Sequence, residues 1–201
     1  ILPKSLKTLE FSFNSRHNQP FKKGVLPQSL TTLKLGCDYN QPFEKDVLPK
    51  SLETLYFNYN SKYNQPFEKD VLPKSLKTLE LGSNYNKSFE KYSLPESLIT
   101  LKLGNDYNKS FSKDSLPQSL TTLEFCYNAY YDNSFEKDVL PKSLKTLILG
   151  AYYNQSFKKG VLPESLKTLQ LGENYNEPFE KGCLPQSLET LELDYQYIKP
   201  Y

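Results

Sequence analysis

Apolar and polar residues alternate along this chain on two scales. In the short segment "TLEL" (78–81), Leu79 and Leu81 fall on one side of an extended backbone and Thr78 and Glu80 on the other. That is the two-residue period of a half-buried strand. On the longer scale, the segment returns whole. Leu-Pro pairs begin at Leu2, Leu26, Leu48, Leu72, Leu94, Leu116, Leu140, Leu162 and Leu184, at steps of 24, 22, 24, 22, 22, 24, 22 and 22 residues. The unit reads L-P-x-S-L-x-T-L-x-(L/F)-G-x-x-Y-N-x-(P/S)-F-x-K-x-(V/S/C). A fixed period of this size predicts a solenoid in which each repeat forms one coil.

Outside the strand segment, Pro, Ser, Gly and Asn recur every few residues and exclude a long helix. The Ser of "LPKS" is expected to cap a short turn through its hydroxyl. The two additional residues of the longer copies always follow the L-x-(L/F) segment, giving "FSFNSRHN", "FNYNSKYN" and "FCYNAYYDN". Insertion at one point of a coil marks a surface bulge. The predicted fold is therefore mostly β: a solenoid of about nine coils of 22–24 residues, one short parallel strand per coil, little or no helix. A lone coil cannot bury enough apolar surface to offset the ordering of its backbone, so neighbours must stack and their strands must pair. At about 4.8 Å per strand, the stack forms a rod roughly 40 Å long.

Stacking turns each repeat position into a column. The Leu of LP, the Leu after Ser, both strand leucines, the Tyr of YN, the Phe and the Val are the expected core. His17 takes the Tyr place in the first copy and reads as a packing residue. The asparagines of YN, from Asn18 to Asn176 with Asp132 among them, read as a structural ladder satisfying backbone groups. On that reading the N-x-S sequons at Asn86, Asn108 and Asn154 are by-products of the repeat.

The outward strand face carries a Thr column, Thr8 to Thr190, and beside it Glu10, Lys34, Tyr56, Glu80, Lys102, Glu124, Ile148, Gln170 and Glu192. Its bulky charges are too rough for the flat double-Thr plane that ice binding needs. Alternating charges at Glu10–Lys34 and Glu80–Lys102–Glu124 are expected to pair across strands. Tyr56 and Ile148, expected to be exposed, have no such account. Lys34, Tyr56, Lys102 and Ile148 are the candidate partner-binding residues. A second row, Lys23, Lys45, Lys69, Lys91, Lys113, Lys137, Lys159 and Lys181, reads as a solvated edge offset by neighbouring Glu and Asp.

Composition narrows the classes further. Twenty-five basic against 23 acidic residues leave a formal charge of +2, no basic field for nucleic acid. No apolar run approaches the roughly 20 residues of a membrane helix, and no signal-peptide pattern opens the chain. Cys37, Cys126 and Cys183 are odd in number and lack a C-x-x-C spacing, which speaks against a disulfide framework or a zinc site and for a reducing, intracellular setting. One His, rows of like groups, no nucleophile motif and no phosphate loop give no catalytic residues, metal site or cofactor to name.

The run L-x-x-L-x-L followed by Asn14, Asn60, Asn84, Asn128 or Asn174 resembles a leucine-rich repeat, with Asp38, Asp106 and Tyr152 departing from it. "YNQPF" (39–43, 63–67) and "YNEPF" (175–179), softened to "YNKSF" and "YNQSF" in the middle copies, resemble the signature of the FNIP repeat family, a leucine-rich-repeat relative of amoebae and large DNA viruses of protists. The resemblance covers all nine copies and implies one repeat domain over residues 1–201, expected to be part of a longer chain. Family members often carry an F-box ahead of the repeats, which implies a substrate-receptor role in ubiquitin ligation; these 201 residues contain none.

The expected function is a non-catalytic protein–protein interaction solenoid, cytoplasmic or virion-associated, with a protein partner and no nucleic acid or membrane. The alternative is a self-assembling structural component of a virion or fibre, with further copies or flanking domains as partners. Ile1 resembles the residue closing a preceding coil, and the terminal "YIKPY" keeps the "YNQPF" register.

Overall fold

The computed structural model describes residues 2–199, so Ile1 lies outside the described residues. Nine strands follow in order: β1 (Thr8–Glu10), β2 (Thr32–Leu35), β3 (Thr54–Phe57), β4 (Thr78–Glu80), β5 (Thr100–Leu103), β6 (Thr122–Phe125), β7 (Thr146–Ile148), β8 (Thr168–Gln170) and β9 (Thr190–Glu192). They form one parallel sheet in sequence order. Equivalent residues pair throughout, as in Thr54↔Thr78, Leu55↔Leu79 and Tyr56↔Glu80. Among the described residues there is no helix.

The strands are short because each coil must turn before and after them. Before each strand, P-x-S-L closes a tight turn in which the Leu N–H donates to the Pro carbonyl, as in Leu76 to Pro73 at 3.0 Å. The backbone therefore caps this turn, and the Ser hydroxyl does not, contrary to expectation. Ser75 Oγ instead donates to the Leu52 carbonyl of the preceding coil at 2.6 Å, and Ser97, Ser119, Ser143, Ser165 and Ser187 repeat the bond. A hydroxyl freed from its own turn satisfies a carbonyl that parallel stacking would otherwise bury unpaired.

Inside the coils, the leucines, tyrosines and phenylalanines merge into one core from Leu26 to Cys183. The tyrosine rings of the YN column stack along the array at 6.1–6.3 Å between centroids, from Tyr39 to Tyr197. His17 heads the column, stacked 4.7 Å from Phe11 and 6.1 Å from Tyr39, so it packs as expected. Paired strands lie only about 4.8 Å apart. Each coil is thus a wedge, narrow at the sheet and wide at the aromatic columns, and the array bends toward its sheet face rather than running as a straight rod.

The asparagine ladder is continuous. Each Oδ1 accepts the backbone N–H of the next copy, as in Asn64 to Asn86 at 3.0 Å and Asn86 to Asn108 at 3.0 Å. Asp132 serves in the same way for Asn154 at 2.8 Å. The ladder sits at the surface, with Asn108 and Asn154 exposed.

Candidate functional site: the outward face of the sheet

The registered strands bring the outward column into one row, Glu10 to Glu192. Two of the anticipated charge pairs form: Glu10–Lys34 and Lys102–Glu124, each at 3.1 Å. Glu80 makes no ion pair among the described residues, although it faces Lys102 across the register. Tyr56 and Ile148 are half-buried, not exposed, because neighbours on adjacent strands lie against them.

Above the row stands a ledge that the repeat pattern alone did not reveal. The longer coils place Phe13, Tyr59 and Tyr127 in their insertions, and all three remain exposed. Tyr59 reaches along the array, where Asn105 Nδ2 donates to its hydroxyl at 2.9 Å. Tyr127 likewise extends along the array, near enough to Glu173, two coils on, to feel its charge. The shorter coils that follow have glycine where they pack closely on the coil before. A Cβ on Gly150 would stand 2.6 Å from the Cys126 carbonyl oxygen, and one on Gly172 2.5 Å from Ala151 Cα. The strand-end residue is also Phe in the three longer copies, and Phe57 and Phe125 stack 4.1 and 4.4 Å from Tyr63 and Tyr131 beneath the bulge.

Ledge and row enclose two grooves. The first, of about 300 Å³, is lined by Tyr56, Tyr59, Glu80, Lys102, Glu124 and Tyr127. The second, of about 330 Å³, is lined by Glu124, Tyr127, Ile148, Gln170, Glu192 and Asp194. Of the four residues anticipated from sequence, Tyr56 and Lys102 share the first groove and Ile148 lines the second. Lys34 lies outside both, paired with Glu10. Lys102 is the single basic group in either groove. The Glu173 charge, with Asp194, raises the pKa of the exposed Tyr127 phenol above its ordinary value. Glu124 and Glu80 both favour the charged form of Lys102 and hold its pKa up despite burial.

The lysine row lies at another corner of the coil. Lys23–Asp46, Lys45–Asp70 and Lys91–Asp114 pair with the next coil at 3.1, 3.9 and 2.8 Å. The residue after each lysine takes a left-handed backbone: Gly24, Asp46, Asp70, Tyr92, Asp114, Asp138, Gly160 and Gly182 have φ between 63° and 82°. Gly and Asp tolerate that conformation, so the "KD" and "KG" pairs are turn chemistry as much as charge. Tyr92 is the exception, held beneath the Lys91 ammonium 4.8 Å from its ring. The three cysteines are free, and among the described residues no group of three or more His, Cys, Asp or Glu is placed to hold a metal ion.

The parallel coils, one strand each, define a leucine-rich-repeat-like solenoid. The FNIP Repeat model matches residues 1–38, 17–60, 39–84, 63–106, 85–128, 107–152 and 153–196, so the chain belongs to the FNIP repeat family. Among solved structures it is similar to the crystal structure of CroV588, described as a novel circular LRR protein, with TM-score 0.75 and 32% identity over 98% of this chain. The match spans 35% of the CroV588 chain. No curated protein matches.

Proposed function

We propose that the chain is a non-catalytic recognition module that binds a protein partner on the outward face of its sheet. The observation that carries this reading is the division of roles between columns. Interior positions repeat nearly unchanged, whereas the outward row varies from coil to coil and lies in grooves walled by Tyr59 and Tyr127. A bent array presents that face on its narrow side, where residues from many coils reach one partner. The aromatic side chains among them are of the kind that anchors interfaces. The test is capture of partners from the source cell by the wild-type chain, by Tyr56→Ala with Ile148→Ala, and by Lys45→Ala on the far corner. The first variant should lose a partner that the second retains; identical partner sets would refute the reading.

A second reading, a structural element built by stacking coil on coil, is favoured by the wedge shape of each coil and by the circular form described for CroV588. Sedimentation over a wide concentration range decides between them. Growth in size with concentration supports assembly, and a constant monomer refutes it.

A further inference from the structure

The two grooves differ in what their charges already hold. In the first, Lys102 and Glu124 are paired at 3.1 Å. In the second, no basic side chain lines the walls. Among the described residues Glu192 and Asp194 have no ion-pair partner, and the Asp194 carboxylate accepts only the Gln196 backbone N–H at 3.2 Å. Glu173, at the rim, accepts from a neutral donor, Gln196 Nε2 at 3.0 Å, and its charge raises the pKa of the Tyr127 phenol. The Tyr127 ring, 60% exposed, overhangs the same groove, and Tyr195 stands 87% exposed beside it. Acidic walls, an accessible aromatic face and a floor containing Ile148 and Gly172 thus coincide, in a chain whose formal charge is +2.

We propose that the groove between Tyr127 and strands β7–β9 binds an extended, arginine-bearing segment of a protein partner. A guanidinium has the chemistry for both walls. Its flat face stacks on a tyrosine ring, and its fork of N–H donors meets carboxylates two at a time. Nucleic acid and other polyanions are repelled by the same carboxylates. Gln170 adds an amide that can donate to and accept from an extended peptide backbone. Gly172, which lines the floor, lets its coil approach the backbone of Gly150 and Ala151 closely.

The inference rests on the recognition reading and names the chemistry of its partner. It is tested by fluorescence anisotropy of the whole chain with a labelled nine-residue peptide of alternating Arg and Ser, beside its Lys-Ser and Glu-Ser counterparts. The Arg peptide should bind most tightly, the Lys peptide more weakly and the Glu peptide not at all. Binding should weaken as salt screens the carboxylates. Tyr127→Ala and Asp194→Asn should each weaken Arg-peptide binding by about tenfold or more, a loss of about 1.4 kcal/mol. Asp46→Asn, on the lysine corner, should leave it unchanged. All three positions are exposed or lightly packed, and unchanged melting curves verify that the variants fold. No binding of the Arg peptide at low salt, or binding indifferent to Tyr127→Ala and Asp194→Asn, overturns the proposal. If partner capture still depends on Tyr56 and Ile148 in that case, the recognition reading survives and only the arginine chemistry falls. If capture is also indifferent, both fall.

Discussion

The tyrosine column inside the coils and the mixed column on the outer strand face share one period and one register, yet they behave oppositely. Inside, Tyr39, Tyr63, Tyr85, Tyr107, Tyr131, Tyr153 and Tyr175 are buried, each stacked on the next. Outside, Glu10, Lys34, Tyr56, Glu80, Lys102, Glu124, Ile148, Gln170 and Glu192 follow no rule beyond local pairing. The contrast has a physical cause. An interior ring must fit the rings of both neighbouring coils at close packing, so a change in one copy is felt in three. An outward side chain meets water on one side, and charge or shape there costs little. The interior fixes where the outward residues stand, and the outward residues are free to encode a partner.

Substitutions in the two columns should differ by an order of magnitude. Tyr107→Ala removes a ring stacked on Tyr85 and Tyr131 and should cost about 3–5 kcal/mol in urea unfolding. Among the described residues its hydroxyl has no hydrogen-bond partner, so Tyr107→Phe should be neutral or stabilising, which separates the ring from the hydroxyl. Gly150→Ala forces a methyl against the Cys126 carbonyl beneath the Tyr127 bulge and should cost about 1–3 kcal/mol by the same assay. Asn86→Ala leaves the Asn108 N–H without its ladder acceptor; a loss of about 1 kcal/mol is expected in thermal melts. Lys102→Ala, breaking the half-buried pair with Glu124, should change stability by about 0–1 kcal/mol, and by less in high salt. An outward substitution as costly as Tyr107→Ala would break the comparison.

The coil, its strand and its core were legible in the sequence because stacking imposes the same demand on every copy. Period, alternation and the aromatic positions all reported one geometry. The Lys102–Glu124 pair was legible for a related reason, since registered parallel strands set equivalent residues side by side. What repetition hides is interaction between unlike positions. Tyr127 feels the Glu173 charge from two coils away because an insertion carries it along the array. The cue was present in the longer copies, where insertion and strand-end Phe occur together, but treating the insertion as a passive bulge concealed it. The Ser hydroxyl was assigned to its own turn for the same reason: a motif read within one coil does not reveal a bond to the coil before. Asp46 and its equivalents were read as charge when their left-handed backbone is the more telling property.

The central claim is that successive coils share one continuous interior, and the phenols of the tyrosine column report on it directly. Burial pushes the pKa values of Tyr63, Tyr85, Tyr107, Tyr131 and Tyr153 well above their ordinary 10.0. A raised folded-state pKa contributes stability that is complete below pH 10.0, the unfolded value, and is lost as pH rises toward the folded one. Ultraviolet titration of phenolate, followed beside circular dichroism, is therefore the decisive measurement. At about pH 11 the stacked column should stay protonated while the sheet remains intact, and it should ionise only as the chain unfolds. If instead the phenols of the column ionise near pH 10 in a chain that keeps its native spectrum, the coils do not share that interior.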